Sequence, residues 1–207
     1  TPPGFDGPRN YSFDIGDVHF IALFAASDKR GISDEQVQWL KDDMQAARDR
    51  GMRWIIPYYH VTPFGDGKNH GPNLMLREDV GPVFEQYGVS IAIASHDQAY
   101  ERSYPLRDVP ATNTPTTTAL HCYSANEGTT YVKVSPGGKE SNISGAFSPF
   151  ASNPPPAWTA VRDNTMHHFA RLRVSPEGIT VETYGVRGDG SPPALLDSFR
   201  YTTGACP

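Results

Sequence analysis

The feature that most constrains the fold is an alternation of strand and helix patterns through the first half of the chain. Short apolar runs predict three buried strands, at 18–25, 54–58 and 89–94. Stretches with helical spacing of apolar residues separate these strands, and this order is typical of α/β proteins with a partly parallel sheet. Pro57 cannot donate a backbone hydrogen bond, so the second strand is expected at a sheet edge or with Pro57 near its end.

The two helices have recognisable boundary signals. Ser33 and Gln36 have the spacing of a capping box, apolar residues recur at helical spacing after them, and Gly51 is expected to end this helix. The second helix is predicted over about 74–87, with Gly88 ending it. Both helices are therefore expected to pack one apolar face against the sheet.

A hairpin is predicted ahead of the first helix. The step from Gly16 to Asp17 lies between two aromatic-rich runs, as expected for a tight turn between paired strands. Within this region His19 is expected to pack in its strand. The acidic Asp43 of the first helix is expected on a solvated face.

The second half of the chain has a different pattern. Short strands with alternating side chains are predicted at 130–134, 168–174, 179–186 and 198–202. The sequence has no internal repeat, and 207 residues suit one domain. We therefore expect a single domain over 1–207, with an α/β part at 1–104 and a mainly antiparallel β part at 105–207. The fold class is α/β, or α+β where the second half is considered.

Composition excludes two classes of partner. The chain has 18 Lys and Arg against 23 Asp and Glu, so its net charge of −5 offers no basic surface for nucleic acid. Its apolar runs are far shorter than a membrane span. Cys122 and Cys206 are its two cysteines, and they form either one disulfide or two free surface thiols. A disulfide would indicate an oxidising compartment.

Three histidines lie where ligand sites normally form. His60 follows one buried strand, His96 follows the next, and His70 lies in the loop after His60. The ends of neighbouring parallel strands meet at one edge of a sheet, so His60 and His96 are expected to converge there. Imidazole is a common ligand of zinc, iron and manganese. Satisfied loop or core histidines are the alternative explanation.

The residues around these histidines resemble purple acid phosphatases, within the calcineurin-like metallophosphoesterase superfamily. The segments at 11–20, 38–43, 54–60 and 85–89 read YSFDIGDVHF, QWLKDD, WIIPYYH and EQYGV. They are similar to the family patterns YSFDYGNVHF, QWLxxDL, WIIVxGH and EKYGVD. The segments at 95–102 and 128–138 read SHDQAYER and GTTYVKVSPGG. They resemble GHVHAYER and GPVYIVVGxGG.

This resemblance implies a fold and a chemistry. The family fold is a β sandwich with helices outside it, and its two adjacent metal ions act on a phosphate ester. By resemblance, His60 and His96 are ligands of the divalent metal. His70 is the catalytic histidine, which contacts the phosphate or protonates the leaving group. Asn69 is at a loop position that contacts phosphate.

The departures from the family patterns bear on activity. Gln98 replaces a histidine ligand of the second metal, so that ligand position is degenerate. Asp97 takes an apolar position and is a possible substitute ligand, which with His60 and His96 would form a mononuclear site. The family motifs GDxxY and GNHE do not occur in these residues, and 14–16 has the letters of DxG but lies in the segment that resembles the later strand pair. The amino-terminal half of the fold is therefore expected to be missing.

The similarities to the family patterns and the departures from them leave two functions open. In the first, the chain is a degenerate or incomplete phosphoesterase-like domain, inactive alone, with one divalent metal at most (zinc, manganese or iron) and a binding or structural role in a complex. In the alternative, it is the carboxy-terminal part of an acid phosphatase whose dinuclear iron/zinc-type centre is completed by a separate amino-terminal chain. Either requires a protein partner or a second copy to cover an exposed apolar sheet face. The family and the cysteines favour a secreted or extracytoplasmic location.

Overall fold

A computed structural model describes residues 10–25, 30–139 and 147–206. The first half contains β1 (Tyr11–Ile15), β2 (Val18–Ala22), α1 (Asp34–Asp49), β3 (Trp54–Tyr58), α2 (Leu74–Gln86), β4 (Ile91–Ala94) and β5 (Tyr100–Ser103). The second half contains β6 (Cys122–Ser124), β7 (Thr130–Lys133), β8 (Thr159–Asp163), β9 (His167–Ser175), β10 (Gly178–Val186) and β11 (Ala194–Thr202).

These elements form three layers. A seven-stranded mixed sheet has the order β1-β2-β3-β4-β7-β5-β8, and a four-stranded sheet has the order β6-β11-β10-β9. One apolar core, which includes Ile91, Val132 and Phe199, lies between the two sheets. A second core, which includes Leu40 and Phe84, lies between the helices and the other face of the large sheet. The expected β sandwich flanked by helices is confirmed, and two strands of the second half, β7 and β8, join the large sheet.

The helices begin where the sequence predicts. Ser33 caps α1, because its side-chain oxygen accepts the backbone N–H of Gln36. In turn, the side-chain oxygen of Gln36 accepts the backbone N–H of Ser33. Asn73 caps α2 in the same way by accepting from the Leu76 N–H. Both helices bury one apolar face against the sheet, so their packing rather than their propensity stabilises them.

The prediction for β3 is only half right. β3 is an interior strand between β2 and β4, not an edge strand. Its pairing with β4 joins only Tyr58 to Ile93, at the end of the strand. Pro57 is therefore tolerated because it lies next to the strand end, where the ladder with β4 is barely formed.

Hydrogen bonds between polar side chains attach the hairpin of β1 and β2 to α1, and the sequence did not predict these contacts. Gly16 takes a positive φ of 57° in the turn, as this tight hairpin requires. The buried His19 ring contacts Asp14 through Nδ1 at 2.5 Å and Asp43 through Nε2 at 2.9 Å. Asp43 also accepts a bond from Ser12. Asp43 is thus a partner of the hairpin rather than part of a solvated face.

A buried ion pair joins the two sheets. Arg102 of β5 donates to both carboxylate oxygens of Asp197 of β11, at 2.6 and 3.0 Å. Tyr100 donates to the same carboxylate at 2.7 Å, and Arg102 also donates to the Tyr123 hydroxyl. Because all the charges are paired, this network is compatible with the apolar surroundings between the sheets.

The two cysteines form a disulfide between Cys122 of β6 and Cys206 beyond β11. β6 pairs with β11 in parallel, so the bond attaches the end of the chain to the start of a neighbouring strand. None of the helices in the described ranges combines the length and apolarity that a membrane span requires.

We predict that the His19 contacts make stability depend on pH above neutrality. Burial by itself lowers the pKa of His19, but the bonds to Asp43 and Asp14 outweigh it and raise the pKa above 6.5. The protonated ring therefore stabilises the fold fully below about pH 6.5, and this contribution is lost as pH rises through the raised pKa. Urea unfolding should show His19→Gln to be less stable than the parent by about 1.5–3 kcal/mol at pH 6, with the difference shrinking towards pH 9.

His121→Gln is the matched control, because His121 is exposed and its ring contacts only a backbone carbonyl among the bonds described. It should unfold like the parent across this range. A His19→Gln deficit that stays constant from pH 6 to pH 9 would contradict the ionic role of this ring.

Candidate functional site

The three histidines selected from the sequence come together at one edge of the large sheet. His60 follows β3 and His96 follows β4, and the Ser95 N–H donates to the His60 carbonyl at 3.0 Å, which fixes the two strand ends. His96 Nδ1 lies 3.0 Å from His60 Nε2. The His70 ring centre is 4.5 Å from that of His96. The strand ends therefore place three imidazoles in contact at the surface.

The backbone at His96 is unusual. Its φ is +74°, a conformation that costs a residue with a Cβ free energy and is often kept at functional sites. Partial burial, followed by the charges of His70 and His60, lowers the pKa of His96 below its ordinary value. A ring kept neutral at physiological pH has a nitrogen lone pair available for a metal ion.

The loop after β3 is held against the segment 147–152. Lys68 donates its N–H to the Pro149 carbonyl, and the Asn69 N–H donates to Ser148 Oγ at 3.3 Å. The Ser148 N–H in turn donates to the carbonyl of Gln98. Asn69 is exposed and Gln98 is half-buried, and both carry uncharged amide side chains.

Beneath the histidines lies a group of buried charges. Asp97 is fully buried, and its Oδ2 is 3.0 Å from the Lys133 ammonium, while its Oδ1 accepts the His70 N–H at 3.2 Å. Lys133 also contacts Glu101. Glu101 accepts the Asp66 N–H through both oxygens, at 2.8 and 3.0 Å. Both Asp97 oxygens therefore have partners other than a metal ion.

The sequence reasoning did not identify Lys133, Asp66 or Arg162 as part of this region. Arg162 of β8 contacts the Asp66 carboxylate at 2.9 Å and compensates its charge. The available signal was Lys133 itself, a charged residue in the otherwise uncharged strand 130–134. A buried lysine requires a carboxylate partner, and Asp97 was the unexplained acid in the sequence.

The residues present offer two neighbouring imidazoles, which are hydrogen-bonded to each other, as candidate metal ligands. Two imidazole nitrogens on one tetrahedral zinc lie about 3.3 Å apart, since each Zn–N bond is about 2.0–2.1 Å. The His60–His96 pair, at 3.0 Å, is close to this separation. Within the described ranges no group of three or more His, Cys, Asp or Glu side chains is arranged to hold a metal. A dinuclear centre also needs carboxylates, and the carboxylate of Asp97, the residue after His96, is already engaged by Lys133 and the His70 N–H.

The comparisons with known proteins identify relatives of this layered α/β sandwich with histidines at its strand ends. A purple acid phosphatase from yellow lupin seeds, PPD1, aligns with 93% of this chain at a TM-score of 0.73 and 24% identity, so it has the same fold. Arabidopsis thaliana purple acid phosphatase 23 is 32% identical over 93 residues, 44% of this chain. An uncharacterized Mycobacterium tuberculosis protein is 28% identical over 93% of it.

The matches also show how much of each relative this chain covers. It is similar to purple acid phosphatases over their carboxy-terminal part, as the sequence patterns predict. The chain spans 45% of the mycobacterial relative, 20% of the Arabidopsis enzyme and 32% of the lupin chain. No protein-family model matches the chain.

We predict that adding a methyl group at Gly67, in the loop after β3, disrupts the contact between Asp97 and Lys133. Gly67 packs so closely on the Asp97 carboxylate that a Cβ at this position would overlap it. Gly67→Ala should therefore displace Asp97 from Lys133 and lower the free energy of unfolding by about 1–3 kcal/mol, measured by urea denaturation.

Gly71→Ala is a control from the same loop, because a Cβ there would meet no atom within 4 Å. It should have little effect on stability. Equal stability of the two variants would contradict the close packing at Gly67.

Proposed function

We propose that this chain supplies the histidine side of a metal-dependent phosphoester site and is catalytically inactive by itself. The observation that carries this proposal is the contact between His60 and His96 at the ends of neighbouring parallel strands, with His70 beside them. The fold and the similarity to purple acid phosphatases support phosphate esters as the ligand class.

In this proposal His60 and His96 hold one divalent ion, which is zinc, manganese or iron. Such an ion polarises a phosphoryl oxygen and lowers the pKa of bound water. His70 is positioned beside the pair to donate a hydrogen bond or proton to the ester, and Asn69 lies in the same loop as a neutral phosphate contact. A nitrogen-rich, exposed site without a free carboxylate also favours an anionic ligand.

Inactivity follows from the groups that this site lacks among the described residues. Gln98 offers only a neutral amide where a second imidazole would be needed, and Asp97 is engaged with Lys133. A dinuclear iron/zinc-type centre, and with it acid phosphatase activity, would therefore require carboxylates from further polypeptide. That active, completed enzyme is the alternative function, and a binding or structural role in a complex is the function of the chain alone.

The same polypeptide would cover an exposed apolar face of the large sheet. Phe13 and Ile15 of the edge strand β1 are 39% and 63% exposed. They pair across the hairpin with Phe20 and Val18, which pack against the core between the sheets, so they extend that core into solvent. Edge strands with exposed apolar side chains are sites of further strand pairing. In the relatives, which are more than twice as long, additional chain is present.

The disulfide supports an extracytoplasmic location, because such bonds persist in oxidising compartments and are rare in the cytosol. We therefore propose that the protein is secreted or otherwise exported.

We predict that the purified chain binds about one Zn²⁺ per molecule and does not hydrolyse p-nitrophenyl phosphate with Zn²⁺, Mn²⁺ or Fe²⁺ above the rate of the metal alone. Metal binding is measured by calorimetry and elemental analysis. His60→Ala and His96→Ala should each weaken Zn²⁺ binding at least about tenfold, because each removes a ligand, whereas the distant His121→Ala should bind like the parent.

Turnover above the metal blank that disappears in His70→Ala would show that the chain is an active enzyme by itself. Two metal ions per chain would likewise overturn the incomplete-site proposal, and no binding of any of the three ions would overturn the metal site.

We also predict that the isolated chain self-associates through the uncovered β1 face. Sedimentation of the parent at tens of micromolar should show dimers or larger species, because an open apolar edge pairs with another copy when its own cover is absent. The double variant Phe13→Ser/Ile15→Thr should be monomeric. A strictly monomeric parent would contradict the need for a partner at this face.

A further inference from the structure

We propose that Lys133 acts as an internal cation that holds the histidine cluster in place, with Asp97 as the positioning residue through which it reaches His70. The metal-binding consequence rests on the proposed function, whereas the positioning itself does not. The inference comes from the buried charges of Asp97, Glu101 and Lys133 beneath the histidines. These groups belong neither to the proposed metal ligands nor to the ion pair between the two sheets.

The geometry centres on one ammonium group. Lys133 Nζ lies 3.0 Å from Asp97 Oδ2 and 2.5 Å from Glu101 Oε2, and all three side chains are essentially inaccessible to solvent. Without water to compete, these contacts are stronger and more directional than at a surface. Removing the cation would leave two carboxylates buried without a counter-ion, which is unfavourable.

Each carboxylate uses its remaining capacity to hold the histidine-bearing loop. Asp97 accepts the backbone N–H of His70, and Glu101 accepts the backbone N–H of Asp66. Between these two points Gly67 packs on the Asp97 carboxylate. Lys133 therefore fixes the loop at two backbone positions. It acts through Asp97, which follows β4, and through Glu101, which lies in β5.

The sequence patterns indicate that the two charges belong together. In the segments GHVHAYER and GPVYIVVGxGG, which 95–102 and 128–138 resemble, the positions of Asp97 and Lys133 carry valine. The two departures contact each other in the fold, so Lys133 supplies a counter-charge for the buried Asp97. Asp97 is thus explained as an anchor for the loop, with its oxygens facing Lys133 and the His70 N–H.

The test compares two replacements of Asp97 in the complete chain. Asp97→Asn keeps one oxygen that can accept the His70 N–H, but its NH2 group then faces the Lys133 ammonium, so this variant keeps the acceptor and removes the ion pair. Asp97→Val removes both the acceptor and the charge. NMR of the metal-free chain, which needs no ligand, should show the His70 amide and ring signals shifted and its amide exchange accelerated in Asp97→Val. In Asp97→Asn they should shift less than in Asp97→Val but still differ from the parent, because the acceptor is kept while the ion pair to Lys133 is lost.

Zn²⁺ titration supplies a second readout. Asp97→Val should weaken binding about 10–100-fold, as loss of a supporting group around metal ligands does, whereas Asp97→Asn should lose far less. If Asp97→Val does not fold, Lys133→Gln, which keeps hydrogen-bond donors without charge, should accelerate exchange of both the His70 and Asp66 amides. Lys139→Gln, at an exposed lysine, is its control and should leave both amides unchanged.

Two results would overturn the proposal. Unchanged His70 signals in Asp97→Val, or unchanged His70 and Asp66 exchange in Lys133→Gln, would show that the loop does not depend on the internal cation. Loss of Zn²⁺ affinity in Asp97→Asn as large as in His96→Ala, with unchanged His70 signals, would identify Asp97 as a metal ligand instead. Failure of the parent to bind Zn²⁺ would overturn the metal site alone, because the NMR comparison is made without metal.

Discussion

The buried ion pair between Arg102 and Asp197 joins the two sheets, and the strand that carries Arg102 connects the sandwich to the candidate site. Removing one member of such a pair leaves an uncompensated charge in the interior, which typically costs about 3–5 kcal/mol. Side chains alternate along a strand, so Glu101, the neighbour of Arg102, projects to the opposite face and contacts Lys133. β5 therefore serves packing on one face and the histidine loop on the other.

This arrangement explains how exposed histidines can have defined positions. His60 and His70 are at the surface, where side chains alone would have considerable freedom. Their loop is fixed from below by backbone bonds to Asp97 and Glu101 and from the side by bonds to Ser148 and Pro149. Rigid support under a surface site reduces the entropy lost on binding a ligand.

Two features of the molecule support the proposal that further polypeptide completes it. Its site has imidazoles close to the separation that suits one metal ion, but the nearby carboxylate is turned inward to Lys133. Its large sheet ends in an edge strand with exposed Phe13 and Ile15, which continue an internal core. Both features have one physical explanation, since a polypeptide beside β1 would cover the apolar face and could bring the oxygen ligands that a second metal requires.

Much of the fold was predictable because its signals are local. The capping box of Ser33 and Gln36, the Gly16 turn and the apolar runs of β3 and β4 each depend on residues close in sequence. The convergence of His60 and His96 followed from a general rule about parallel strands. β5 was not predicted as a strand, because Tyr100–Ser103 is largely polar and has no apolar alternation; it is buried only because its charges find partners.

The sequence by itself determined both helices and most of the longer strands, the α/β class, the family resemblance and the histidines that meet at one sheet edge. Only the tertiary structure decided that β7 inserts between β4 and β5, that Asp43 bonds His19, and that Asp97 faces Lys133. The physical reason is the separation along the chain. Helix caps and turns form between residues a few positions apart, whereas buried ion pairs join residues that only the assembled sheet brings within contact.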